Sequence, residues 1–304
     1  MSRSFYLLPE WIGLMEQWCR ARSEPWEFRG ESGATIRNVF FSDRRGFFQP
    51  PYMAYAGLEV ELTPTEQPAR LTRQWHELAD ALIRELRRRR YNRWLTLPPS
   101  LPDARPFMWA GMLATPRYTY IVSPQDFCLE KGCSPEIPRK AKKAAKLGYT
   151  VRRDQNLDAA WHNIRSTQQR QDFDYQISPD HLRHALDKLG ADRLRIYNAY
   201  DSTGQPACSL IVLYRERAVT LDWIAATATE HLKSGVTQLA RLALFDDLKT
   251  TSSEGFDFCG ANIPSVANAK SEFGAALTPY FQLDPLGGRF LARLTLRWIR
   301  SRFA

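Results

Sequence analysis

Phe256-Asp-Phe-Cys-Gly-Ala-Asn-Ile-Pro-Ser-Val-Ala-Asn-Ala-Lys-Ser-Glu-Phe-Gly-Ala275 is the stretch on which the reading of the fold turns. Two phenylalanines flank one carboxylate at its start, the alternation of a short buried strand. Gly260 supplies a turn, since glycine reaches backbone conformations that strain other residues. A helix then runs to a stop at Gly274. Asn262 and Lys270 are therefore polar residues placed on a bounded strand-turn-helix element.

Working outward, residues 194–200, 205–214 and 218–226 read as three strands joined by short turns, and residues 234–249 as a helix leading into the quoted strand. Residues 277–283 read as a strand beyond it. Upstream come a helix over 134–147 stopped by Gly148, a strand over 149–152, and helices over 157–171 and 178–189, the last opened by Ser178-Pro-Asp. The N-terminal half has a similar order. A helix over 7–22 precedes strand-like stretches at 26–28, 35–41 and 47–60. Leu71, Trp75, Leu78, Leu82 and Leu86 then mark a long amphipathic helix. A strand over 91–97 follows, and 106–113 with 117–122 reads as a strand pair. The expected class is α/β (α+β), with domains at 1–133 and 134–304, each a mixed, largely antiparallel sheet flanked by helices.

At 304 residues the chain exceeds one ordinary domain, and 44% apolar residues with nine Trp and sixteen Phe describe a globular protein. It has no apolar run of about 18 residues, and its first residues lack the apolar core of a secretory signal, so a cytoplasmic protein is expected. Five cysteines, at 19, 128, 133, 208 and 259, form no Cys-x-x-Cys pair, and their odd number argues against a disulfide framework. Cys128 and Cys133 lack a second ligand pair, and His181 with His184 lacks carboxylate or thiol company, so no metal is expected. Dinucleotide, P-loop, nucleophile-elbow and His-Glu-x-x-His motifs are missing.

The 42 Lys and Arg against 33 Asp and Glu leave +9, much of it clustered. Arg87 to Arg90 reads best as solvated cations at a helix end. For the cluster from Arg139 to Lys146, solvated cations and a phosphate-attracting patch of Lys142, Lys143 and Lys146 stand level. Near the C-terminus Arg289, Arg293, Arg297 and Arg300 fall on one helical stripe, with Phe290, Leu291, Leu294 and Trp298 on another. Such a helix commonly packs on its own domain; weak contact of 286–303 with the inner face of a membrane is the alternative.

The quoted stretch together with Pro279-Tyr-Phe281, Arg105-Pro-Phe-Met-Trp-Ala-Gly111, Pro116-Arg-Tyr-Thr-Tyr120, Pro138 to Tyr149 and Thr167-Gln-Gln-Arg-Gln171 resembles, in order, the blocks of the Fem-like and BioF2-like acyltransferases of the GNAT superfamily. Gln49-Pro-Pro-Tyr52 is a weaker match upstream. The resemblance implies a tandem pair of GNAT-like domains. It also implies transfer of an aminoacyl group from aminoacyl-tRNA to an amine of a peptidoglycan precursor, or acyl-CoA-dependent transfer as in other relatives. By that likeness Lys270 matches the lysine of a Phe-Lys-x-x-Phe-Gly element that lies near the donor ester, although Ala269 stands where the family has an aromatic residue.

Acyl transfer to an amine passes through an oxyanion and expels an alkoxide or thiolate, so a fixed cation beside the carbonyl helps. Lys270 is the candidate, with a solvated lysine as the competing reading. Asp222 and Asp257, each set in an apolar strand, are candidates for the proton of the acceptor amine, with sheet-edge or capping roles the stronger alternative. Arg117, Arg139 and Arg170 are candidate anion binders, and Gly260, Asn262 and Phe273 complete the expected substrate site. The strand-to-helix junction Thr227 to Thr237 has one glycine and no Gly-x-Gly spacing to cradle a pyrophosphate, which favours aminoacyl-tRNA over acyl-CoA as co-substrate. No permanently bound cofactor is expected. The acceptor is an amine-bearing small molecule, small peptide or peptidoglycan-type precursor. The competing reading is a non-catalytic RNA- or envelope-associated binding protein on the same fold.

Overall fold

The structure is a computed structural model that describes residues 3–123, 126–127, 132–171 and 175–285. In chain order these form α1 (Pro9–Cys19), β1 (Arg22–Arg29), β2 (Thr35–Asp43), β3 (Gly46–Phe48), β4 (Glu59–Glu61), α2 (Pro68–Arg88), β5 (Leu95–Thr96), α3 (Arg105–Trp109) and β6 (Met112–Val122). Then come α4 (Glu136–Lys146), β7 (Thr150–Arg153), α5 (Leu157–Gln171), α6 (Pro179–Arg193), β8 (Leu194–Tyr200), β9 (Pro206–Leu213), β10 (Val219–Thr227), α7 (Val236–Leu248), β11 (Gly255–Asp257), α8 (Pro264–Ser271) and β12 (Ala276–Pro285). The class is mixed α/β, as expected. Contacts group the chain into two units, Met1–Leu14 with Tyr118–Thr278, and Met15–Arg117 with Pro279–Ala304. The segments 1–14 and 118–133, placed by sequence in an N-terminal domain, thus group with most of the C-terminal half. The amphipathic stretch 286–303 and Cys128 lie outside the described residues.

In the unit built on 15–117, β2 pairs antiparallel with β1, β3 and β4, and β12 pairs with β5. α2 turns Leu78, Leu82 and Leu86 into a core shared with Ile36, Phe40, Leu97 and Phe107. Its Pro68 sits in the first turn, where a missing N–H costs nothing, and Arg87 and Arg88 close its last turn. Two expectations need correction. Residues 105–109 are a helix rather than the first strand of a pair, because Pro106 fits a helix start and Asp103 accepts from the Arg105 N–H at 3.1 Å. The strand stretch 47–60 shrinks to β3 and β4, whose link holds three prolines and glycines, Pro50, Pro51 and Gly57.

The other unit has the sheet order β6-β11-β10-β9-β8-β7. β8 and β9 are buried along almost their whole length, and helices explain it. Leu210 and Val212 pack into the cluster that holds Ile137 of α4 and Leu244 of α7, while Ser209, next to Leu210 on the strand, takes a 2.8 Å hydrogen bond from Asn163 of α5. Successive β9 residues thus meet helices on opposite faces. Two glycines are required by geometry. A Cβ on Gly235, at φ +90, would stand 2.2 Å from the Lys140 carbonyl oxygen, and one on Gly274, at φ +69, 2.3 Å from that of Gly132.

Candidate functional site

Nearly every pairing in the second unit's sheet is antiparallel; β10 and β11 are parallel, and only over Val219↔Gly255, Thr220↔Phe256 and Leu221↔Asp257. There the strands part. The register of β10 against β9 shifts between Asp222 and Ile224, a bulge that re-aims the strand. The chain leaving β11 follows β6 instead, its Phe258 and Ala261 N–H groups donating to the Tyr120 and Tyr118 carbonyls at 3.0 and 2.7 Å. A crevice at the carboxyl ends of parallel strands is where open α/β sheets bind ligands.

Asp222 stands at this parting, 6% exposed, and pairs with Arg241 of α7, 4% exposed, through Oδ2 and Nη2 at 2.5 Å. The guanidinium lies 5.4 and 5.0 Å from the Phe256 and Phe258 ring centroids. Asp222 Oδ1 and Arg241 Nη1 are buried without any partner among the described residues. Buried ions are tolerated when their remaining lone pairs and protons are satisfied, so these two atoms call for a bound molecule or water. Tyr175 donates to the Ala225 carbonyl at 3.0 Å, and burial, then the Asp222 charge, push its hydroxyl up to about 12. Arg241 was missed by the sequence reading. Its signal was a lone cation inside the apolar run Leu239-Ala-Arg-Leu-Ala-Leu-Phe245.

The turn after β11 is tied from three sides. Asp257, 1% exposed, accepts from Thr119 Oγ1 at 2.6 Å and from the Cys259 N–H at 2.7 Å, and Thr119 Oγ1 accepts from the Gly260 N–H at 3.0 Å. Asn262 clamps Tyr118, accepting from its N–H at 3.0 Å and donating to its carbonyl at 3.3 Å. Lys270 reaches back from α8 to donate to the carbonyls of Phe258 at 2.7 Å and Gly260 at 2.6 Å. These bonds hold Cys259 at φ 52, in the left-handed region that a non-glycine residue seldom adopts. Burial lowers the Lys270 ammonium below the usual lysine range; Asp222 pulls it up and Arg241 pushes it down. Burial, then Asp257 and Asp222, raise the Cys259 thiol well above its ordinary value, so it is a neutral thiol at this site.

The structure brings Asp222, Asp257, Gly260, Asn262 and Lys270 to this one parting. Phe273 is 8% exposed in the core against Phe258 and Phe245. Arg170 of α5 donates to the Thr227 carbonyl at 2.9 Å, fixing the far end of β10. Arg139 lies on the outside of α4, paired with Glu136, and Arg117 belongs to the other unit, donating to Gln282 Oε1 at 3.2 Å. Lys142, Lys143 and Lys146 are exposed along α4, and Lys143 donates to the Lys233 carbonyl in the junction before α7 at 3.1 Å. In that junction the N–H groups of Ala228, Thr229, His231, Ser234 and Val236 already have acceptors within the protein. Among the described residues no group of three or more His, Cys, Asp or Glu could hold a metal ion, and no helix is long and apolar enough to cross a membrane.

Residues 134–269 match the acetyltransferase (GNAT) domain family. Among solved structures the fold is similar to FemX, with a TM-score of 0.65 at 11% identity over 95% of this chain and 94% of that one. It is also similar to L-PGS from Bacillus licheniformis, with a TM-score of 0.58 at 11% identity over 98% of both chains. No curated protein sequence matches the chain. The domain match covers β10, β11, Asp222, Arg241 and the turn from Cys259 to Asn262, so this part of the chain matches a GNAT acetyltransferase domain, and the chain shares its fold with the FemX and L-PGS structures.

Proposed function

We propose that the chain is an N-acyltransferase that moves an aminoacyl or acyl group from an activated donor to an amine of a cell-envelope precursor or small peptide. The observation that carries this reading is the parting of β10 from β11 at a bulge beside a buried Asp222–Arg241 pair that has one oxygen and one nitrogen to spare. In this scheme the amine attacks the donor carbonyl, a C–N bond forms, and the C–O or C–S bond to the carrier breaks. Asp222 Oδ1 accepts the proton that the amine sheds, and the departing alkoxide or thiolate is protonated in turn. Two of the Lys270 ammonium hydrogens are committed to the Phe258 and Gly260 carbonyls, and the third is the donor for the oxyanion. Asp257, Asn262 and Arg170 act as positioning residues through the backbone they hold, with Gly260 lining the turn and Phe273 supporting it from the core.

Aminoacyl-tRNA is the favoured donor and acyl-CoA the second. The lone junction glycine is consumed by its approach to the Lys140 carbonyl, and most junction N–H groups are bonded within the protein, which leaves a poor cradle for a pyrophosphate. The exposed lysines of α4 beside that junction suit a polyphosphate chain. The test is to incubate the protein with charged tRNA plus candidate amines, and separately with acyl-CoA plus the same amines. Consumption of charged tRNA supports the reading, consumption of acyl-CoA alone replaces the donor, and consumption of neither ends the enzyme assignment.

A further inference from the structure

The unit built on residues 15–117 contains a cavity of about 350 Å³ that the acyl-transfer reading does not use. Four aromatic rings line it, Trp18, Phe48, Tyr52 and Trp94, together with one carboxylate, Asp43, and one guanidinium, Arg93. Its frame is preformed. Trp18 and Tyr52 meet edge to face at 5.0 Å, and the buried Gln49 spends its side chain on the Met53 carbonyl at 2.9 Å and the Thr96 N–H at 2.8 Å. Burial, then the Asp43 charge, push the Cys19 thiol in the wall up to about 11, so that surface is neutral.

Asp43 and Arg93 hold each other loosely. Only Nη2 of Arg93 reaches the carboxylate, at 3.3 Å to Oδ1 and 3.5 Å to Oδ2, and the two side chains are 26% and 27% exposed. The guanidinium is braced over the Phe48 ring at 5.2 Å, and among the described residues Nε and Nη1 have no hydrogen-bond partner. Asp43 Oδ1 also takes the Arg45 N–H at 2.7 Å, which leaves Oδ2 the freer oxygen. A half-exposed pair held by one nitrogen stabilises the fold little, so a ligand can open it at little cost. A ligand with only a negative charge would leave Asp43 beside an anion, and one with only a positive charge would face Arg93 with another cation. A zwitterion compensates both groups.

We infer that this cavity binds a free α-amino acid with a large apolar or aromatic side chain. The carboxylate lies on Arg93, the ammonium on Asp43, and the side chain among the aromatic rings. An α-amino acid carries both charges on one carbon, which suits partners themselves 3.3 Å apart. The inference does not rest on acyl transfer, and its test reads binding and not turnover. Isothermal titration of the full chain with L-phenylalanine should give saturable one-site binding. 3-Phenylpropanoate and 2-phenylethylamine, each lacking one charge, should bind about tenfold or more weaker, and Arg93→Gln and Asp43→Asn should each weaken L-phenylalanine by about tenfold at an unchanged melting temperature. No saturable binding of L-phenylalanine, or equal affinity for either singly charged analogue, overturns the inference whatever the variants do.

Discussion

Removing the carboxylate of Asp222 is the sharpest perturbation available in the parted-strand site. Asp222→Ala leaves the Arg241 guanidinium 4% exposed with no anion beside it. Breaking one partner out of a buried pair costs about 3–5 kcal/mol, because the remaining charge stays desolvated. For a unit of this size each kcal/mol moves the melting temperature by about 2–4 °C, so the variant should melt about 6–20 °C lower. Arg241→Met should cost a similar amount, since it strands the Asp222 carboxylate. The double variant Asp222→Leu with Arg241→Met removes both desolvated charges together with the two unpartnered atoms, and should melt within about 4 °C of the unmodified protein or above it. Thermal unfolding followed by circular dichroism on the three variants gives the full cycle. If the single losses simply add in the double variant, or either single variant costs under about 1 kcal/mol, the pair is not the buried ionic contact described and the reasoning from it fails. If the double variant folds well but transfers nothing, the pair is present for chemistry and not for stability.

Lys270→Ala should keep its fold and lose about 10²–10³ in turnover, the usual cost of one oxyanion donor, and unchanged turnover in the transfer assay refutes its role. Because burial lowers the Lys270 pKa, the folded protein releases that proton before the unfolded chain does, so stability gains with pH across the window just below the ordinary lysine value. Transfer that needs the cation should fall over the same window, and Lys270→Arg should abolish that alkaline fall in a pH–rate profile. Gly235→Ala should cost well over the roughly 1–2 kcal/mol of a left-handed alanine, since its Cβ meets the Lys140 carbonyl, while Gly204→Ala, at φ +86 with open space, should cost only that; equal melting temperatures would refute the close approach of α4 to α7. Replacing Lys142, Lys143 and Lys146 with alanine should weaken tRNA binding and flatten its salt dependence, measured by filter binding at several salt concentrations, and an unchanged slope removes α4 from donor binding.

Where periodicity was long, the sequence was enough. The leucine stripe of α2, the strands at 194–200 and 205–214 that become β8 and β9, and the strand-turn-helix at 256–274 all appear as read. Local pattern failed where proline chemistry competed with it. Met108 and Trp109 look like strand residues, yet Pro106 at the start and the Arg105 N–H bonded to Asp103 favour a helix there. The grouping of residues 118–133 with the C-terminal half was beyond reach, because strand order is set by long-range pairing that leaves no trace in spacing; β6 finds β11 across more than a hundred residues. Within the site, Asp222 and Lys270 were visible as polar residues in the wrong company. Arg241 carried the same kind of signal, a lone cation in an apolar run, but its pairing with Asp222 did not show, and Thr119 makes sense only beside Asp257, distant in sequence.

Most of the second unit obeys ordinary rules: alternate faces of β9 meet helices, and the α6 start carries a reciprocal Ser178–His181 cap. The departures collect in one place. A bulge at Asp222, a cysteine at positive φ, a half-buried lysine bonded to two carbonyls and two ionic atoms without partners among the described residues all gather where β10 leaves β11. Each is unfavourable alone, at about 1–3 kcal/mol for a strained backbone or an unsatisfied polar atom. Strain of that kind persists only where surrounding bonds over-determine it, and here Asp257, Thr119 and Asn262 supply those bonds. Lys270 therefore faces the backbone of the turn and not open water, which makes its first task the shaping of Cys259 and Gly260 and leaves a single N–H for any bound carbonyl.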